Sequence, residues 1–244
     1  MARFFVDKEK ISENRIIIDG PDAHHIARSL RMAEGDKAMV CDGEGNEYRC
    51  VLSRIRDEEC ICDIIEPVCS GAEPEVSITL CMAYPKGDKL ETVIQKAVEL
   101  GVSRIIPFES SRCIKRPKAE KIEKQTSRLE RIAEEAAKQC GRAKIPTVTQ
   151  PMSFSGMLDE AKKASLPLLC YENEDGLTIK DIIKGKEKPK SVAVIVGSEG
   201  GFSSDEVAKA KDAGCLSVSL GNRILRCETA PSFALSVLSY EFEL

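Results

Sequence analysis

Val194-Ile195-Val196-Gly197-Ser198-Glu199-Gly200-Gly201-Phe202-Ser203-Ser204-Asp205-Glu206 is the stretch whose reading decides the fold. An apolar run too short for a helix enters a turn bearing three glycines. Ser203 or Ser204 then caps a helix with an acidic first turn. Strand, glycine turn and helix in succession make the repeating unit of a parallel α/β sheet. The same order recurs downstream. Cys215–Leu220 reads as a strand, Gly221-Asn222-Arg223-Ile224-Leu225-Arg226-Cys227 as a turn, and Glu228–Tyr240 as a helix.

Working outward, further strands are expected at Val76–Met82, Arg104–Phe108, Leu166–Tyr171 and Ser191–Val196. Leu90, Val93, Ile94, Ala97 and Val98 fall on one helical stripe, and Leu129, Ile132, Ala133, Ala136, Ala137 and Cys140 on another. Helices also fill Phe154–Ala164 and Ser203–Ala213. This alternation predicts a parallel sheet covered on both faces, with ligands at the carboxyl ends of its strands. The first 70 residues differ. Short strands at Arg3–Val6, Arg15–Ile18, Lys37–Cys41, Glu47–Arg56 and Cys60–Glu66, with one helix at Pro21–Arg31, suggest a small β-barrel. Pro67–Pro74 reads as a linker, so the expected domains are 1–72 and 73–244.

Composition narrows the class. The 11 cysteines are an odd number with no CxxC pair, and most sit in apolar runs as buried thiols do. With only His24 and His25 as histidines, no metal site is expected. MARFFVDKEK lacks an apolar run of signal-peptide length and no segment reaches membrane-spanning length, so the expectation is a cytoplasmic protein with no membrane partner. The net charge of −4 speaks against a generally basic nucleic-acid binder. Between Arg104 and Lys144, however, 12 Lys/Arg stand against 6 Asp/Glu. Such a segment is either a solvated helix face or a local phosphate-binding surface.

The glycine turn lacks GxxxxGK[ST], GxGxxG and GxSxG, and Glu199, Asp205 and Glu206 would repel a phosphate. A cationic or neutral ligand suits it better. In the second turn, two arginines among apolar residues are costly to bury without a partner. Two such turns at two strand ends signal a pocket.

Together, Gly197–Phe202 and Leu220–Ala230 (LGNRILRCETA) resemble the paired signature of the SPOUT methyltransferases, among them the enzymes that make 3-methyluridine in 16S ribosomal RNA. The resemblance extends over nearly the whole chain. His24–Asp36 (HHIARSLRMAEGD) is similar to an N-terminal RNA-binding segment, and Lys86–Gly101, Ile106–Arg112 and Arg131–Pro146 to the middle blocks. Ser198 stands where many relatives have proline, and Cys227 occupies a tolerant position.

The resemblance implies a PUA-like barrel followed by an α/β domain with a C-terminal trefoil knot, a homodimer, and S-adenosylmethionine as cofactor. It implies a cofactor site made of Leu169, Tyr171, Gly197, Ser198, Glu199, Gly200, Gly201, Leu220, Gly221, Asn222, Ile224, Leu225, Arg226, Thr229 and Ala230. The implied activity is methylation of N3 of a uridine in 16S ribosomal RNA, with that RNA or the small subunit as partner. Arg112 and Arg226 are candidates for stabilising an anionic base. Glu199 is a candidate base, or else a structural group or ribose contact. Expected RNA contacts are Arg3, His25, Arg28, Arg31, Lys86, Lys89, Lys115, Arg116 and Arg142. The stripe Phe233, Leu235, Val237, Leu238 and Tyr240 is core or dimer interface. Competing readings are a non-catalytic ribosome-assembly factor with a vestigial pocket and a nucleotide-dependent enzyme. The missing phosphate fingerprints disfavour the second.

Overall fold

Alternating burial shapes the first strands. In β1 (Ala2–Phe5) and β2 (Arg15–Asp19), Phe4, Ile16 and Ile18 turn inward, while Arg15 and Ile17 face solvent. The computed structural model describes every residue except Ser70, Lys115, Lys118 and Lys186. A helical segment follows β2 as α1 (Gly20–His24) and widens into a π-helical turn over His25–Leu30. Arg31 ends it in the left-handed region at φ 52°. Then come β3 (Lys37–Cys41), β4 (Glu47–Ile55) and β5 (Glu59–Val68). The last strand runs past Pro67, into the expected linker.

These strands pair in the order β1-β3-β4-β5-β2. Among the described residues no β1–β2 ladder is formed, so the expected barrel is found as a curled sheet, a half-barrel. Register shifts between β4 and β5 at Arg49/Cys50 and Leu52/Arg54 bend it. Its core holds Phe4, Ile16, Ile18, Ile26, Val40 and Leu52.

The second sheet is built from β6 (Ser77–Ala83), α2 (Lys89–Glu99), β7 (Arg104–Glu109), α3 (Ile122–Cys140), β8 (Thr147–Val148), β9 (Met152–Ser153), α4 (Phe154–Ala161), β10 (Leu166–Cys170), α5 (Ile179–Ile183), β11 (Ser191–Val196), α6 (Ser204–Asp212), β12 (Leu216–Val218) and α7 (Thr229–Glu243). Every pair is parallel and the order is β12-β10-β11-β6-β7-β8, with β9 on β7. The α2 stripe Leu90, Val93, Ile94, Ala97 and Val98 is buried as its spacing requires. The sequence reading omits α5, although Thr178 and Asp181 form a full capping box at its start.

Contacts divide the chain into two compact units, Met1–Glu73 with Ala137–Ile145, and Pro74–Ala136 with Pro146–Leu244. In the first, buried charges are paired. Arg3 Nη1 lies 2.6 Å from Glu47 Oε2, and Arg142 Nη2 lies 2.9 Å from Glu73 Oε2. Glu73 also accepts from the N–H groups of Ala143 and Lys144. Lys138 pairs with Asp22 at 2.9 Å. Arg142 is 4% exposed. Arg3 and Arg142, expected from the sequence as RNA contacts, both meet internal carboxylates here and help hold this unit together.

Candidate active site

β10, β11 and β12 end level with one another. Cys170 stands in register with Val196 on one side and Val218 on the other. The chain passes from β11 over β10 to reach β12, so the strand order reverses here, where open α/β sheets place their ligands. The segments leaving these strands, Tyr171–Thr178, Gly197–Gly201 and Ser219–Glu228, line one cavity of about 870 Å³.

The first turn is tight. Gly201 N–H donates to the Ser198 carbonyl at 2.9 Å. Gly201 has φ +62°, so the backbone favours glycine, and a Cβ there would displace the Glu172 carboxylate. A Cβ on Gly200 would lie 2.9 Å from Arg112 Cβ. Arg112 Nη1 donates to the Gly200 carbonyl at 3.0 Å, and Ser198 Oγ donates to the Arg112 carbonyl at 3.5 Å. The hydroxyl at position 198 thus makes a link that proline could not.

Buried Glu206 anchors this arrangement. Its carboxylate accepts from Ser111 N–H at 2.7 Å, Ser111 Oγ at 2.8 Å and Ser203 N–H at 3.0 Å. Burial pushes its pKa up, but these donors more than offset that and hold it below the ordinary range. Phe202 closes the turn against Phe108 and Phe154, with centroids 6.4 and 6.3 Å away.

Lys89 belongs to this cavity. Read from sequence as an RNA contact, its ammonium lies in the cavity wall, 3.1 Å from Glu199 Oε1 and 3.2 Å from Glu228 Oε2. Glu199 also accepts from Lys86 N–H at 3.1 Å. Burial pushes the Glu199 carboxyl up, yet its own N–H, Lys89 and Lys86 N–H bring it below the usual value. A carboxylate so stabilised is a weak base. Beside it, burial and the Glu228 carboxylate push the Cys227 thiol up to about 12.

Of the residues expected at the cofactor, Tyr171, Gly197–Gly201, Leu220, Gly221, Asn222, Ile224, Leu225, Arg226 and Ala230 line the cavity. Leu169 does not: it is fully buried inside β10. Thr229 faces solvent at the start of α7 and is also absent from the lining. The sequence reading omits the acidic wall Glu172, Glu174 and Asp175, where only the position after β10 offered a signal. Arg112 touches the glycine turn from behind. His25, Arg28, Arg31, Lys86 and Arg116 are exposed, and Lys115 lies outside the described residues.

Comparison with known proteins bears on this geometry. An RNA methyltransferase domain model matches residues 72–239, and an RNA methyltransferase PUA domain model matches residues 18–65. The chain belongs to the RNA methyltransferase family. Within that family it is 34% identical to ribosomal RNA small subunit methyltransferase E of Bacillus subtilis, covering 100% of this chain and 98% of that one. Identity to the protein of that name from Synechocystis is 32%, over 97% of this chain and 77% of the relative. Among solved family structures, one from Legionella pneumophila in complex with bound cofactor SAM aligns with TM-score 0.88 and 32% identity, over 98% of this chain and 97% of that one. The Neisseria gonorrhoeae ribosomal RNA small subunit methyltransferase E bound to S-adenosyl methionine aligns with TM-score 0.88 and 27% identity, over the same shares. Among the described residues no helix is long and apolar enough to cross a membrane, and no cluster of three His, Cys, Asp or Glu could hold a metal ion.

Proposed function

We propose that this chain is an S-adenosylmethionine-dependent methyltransferase that acts on N3 of a uridine in the 16S ribosomal RNA of the small subunit. One observation carries the reading: the two glycine-bearing turns, one after β11 and one after β12, converge on a single open cavity. Its volume of about 870 Å³ falls within the range for small-ligand pockets, roughly 300–1,000 Å³. The acidic wall of Glu172, Glu174 and Asp175 suits a cation, and the backbone-rich turns suit a flat polar ring. Tyr171, Gly197–Gly201, Leu220–Arg226 and Ala230 would hold the cofactor, with Leu169 packing behind them. When bound, S-adenosylmethionine supplies a methyl group activated by its sulfonium.

The chain's own part is orientation and charge. N3 of uridine lies on the Watson–Crick edge and carries a proton, so the base must be unpaired or flipped to reach the cavity. Arg226 lines the cavity and has no ion-pair partner among the described residues, so its guanidinium is available to stabilise an anionic uracil. Arg112 has donors to spare beyond its bond to Gly200. Glu199, already holding its donors, serves better to position the turn than to accept the N3 proton.

RNA contact falls to exposed side chains, namely the imidazole of His25 and the cations Arg28, Arg31, Lys86 and Arg116. With 5% aromatics, recognition rests on phosphates and shape more than on base stacking. A homodimer is supported by α7: Leu235 and Leu238 are fully buried, while Phe233 and Tyr240 on another face are 38% and 72% exposed. The reading further includes a C-terminal trefoil knot, cytoplasmic location, and one domain each for residues 1–72 and 73–244.

Nucleoside mass spectrometry of 16S ribosomal RNA from cells lacking this protein tests the function. Loss of 3-methyluridine is expected; unchanged modification overturns it. Light scattering tests the dimer, and a monomer-sized mass overturns that part.

A further inference from the structure

The two cofactor turns have no direct polar tie. They follow β11 and β12, which the intervening β10 keeps apart in the sheet. Among the described residues no hydrogen bond or ion pair runs from Gly197–Phe202 to Ser219–Glu228. Lys89 supplies what the sheet does not. From the first residue of α2 its ammonium reaches Glu199 in the first turn at 3.1 Å and Glu228 at the end of the second at 3.2 Å. The side chain is 37% exposed and each carboxylate 25%, so the pairs are half-shielded from water.

We propose that Lys89 is a positioning residue, a charged clasp that holds the two turns at the spacing the ligand requires before the ligand arrives. The inference rests on the cofactor reading of the cavity. Without the ammonium, Glu199 and Glu228 face each other as like charges, and the turns gain freedom to separate. Affinity then falls by the fraction of molecules in which both turns stand in place. Lys86 N–H reinforces the clasp by holding Glu199 from the same segment that carries Lys89. Both carboxylates are held below their ordinary values, Glu199 despite its burial and Glu228 chiefly by its own N–H, so the clasp is fully charged at neutral pH.

Calorimetric titration of the full chain with S-adenosylmethionine tests this. Lys89→Met is expected to weaken binding roughly tenfold, with kcat at saturating cofactor little changed. Lys89→Arg keeps the charge and is expected to restore affinity to within about threefold. Glu228→Gln alone is expected to weaken binding by about threefold. Combined with Lys89→Met, it is expected to add nothing, because the repulsion is gone. Wild-type affinity in Lys89→Met, or additive losses in the double variant, overturns the clasp. Glu228→Gln with wild-type affinity overturns it independently, even if Lys89→Met folds poorly. Failure of the wild-type chain to bind S-adenosylmethionine is a different result: it sinks the cofactor reading itself.

Discussion

Two arginines in the unit containing the curled sheet and two in the unit containing the cavity are used in opposite ways. In the first, Arg3 and Arg142 are enclosed and each meets a carboxylate, so positive charge serves as internal mortar. In the second, Arg223 and Arg226 stand on an exposed turn with no ion pair among the described residues. A sequence shows both kinds as the same letter. The difference lies in Glu47 and Glu73, which are distant in the chain from the arginines they satisfy.

The largest expected effect separates the two kinds. Arg142→Met leaves Glu73 half-enclosed without its counter-charge, and urea unfolding should report a loss of roughly 3–5 kcal/mol. Arg226→Met removes no internal partner and should shift stability by less than about 0.5 kcal/mol. Its methyl-transfer rate should nevertheless fall by roughly a hundredfold. Equal stability of the two variants would erase the contrast.

Much of the fold was legible because it rests on local pattern. β3 and β11 occupy the expected spans, and the glycine turns meet as strand-end logic requires. What stayed hidden depends on distant partners. Whether five short strands close a ring depends on a β1–β2 pairing that no local period encodes. Leu169 looks like a pocket residue by position, yet β10 is covered on both faces at its end and encloses it completely. Lys89 sits in a basic, exposed-looking run, and only the folded chain reveals the two carboxylates that claim it. The residues Ala137–Ile145, which pack with the first unit, continue a helical stripe that gives no hint of a change of company.

A next-largest effect concerns the cavity turn. Gly201→Ala forces a Cβ into the left-handed region at about 1–2 kcal/mol and drives it against Glu172. Cofactor affinity should fall at least about tenfold by calorimetry. Adding Glu172→Ala clears the clash but not the backbone cost, so the double variant should recover only part. Full recovery would mean that space alone, and not conformation, sets the glycine.

The paired charges of the first unit should also show in acid. Burial pushes the Glu73 carboxyl up, but Arg142 and the N–H groups of Lys144 and Ala143 pull it further down, leaving it below its ordinary value. A depressed folded-state value means that this stabilisation is intact above the ordinary carboxylate range and fades as pH falls through the folded value. Unfolding curves of wild type and Glu73→Gln should therefore converge on acidification. A constant gap down to the acid limit would assign the Glu73 contribution to shape and not charge.

The smallest effect probes an exposed cation of the first unit. Arg31 holds φ 52°, a conformation that costs a residue with a side chain about 1 kcal/mol relative to glycine. Arg31→Gly should therefore leave stability unchanged or raise it slightly, the reverse of Arg142→Met. If its guanidinium meets a phosphate, the same change should weaken RNA binding at low salt and reduce the slope of log affinity against log salt by about one unit. Stability and RNA affinity would then move in opposite directions at one residue, which no purely structural role produces. An unchanged salt slope would leave the left-handed arginine as a helix terminator alone and shift the phosphate contacts of this unit to His25 and Arg28.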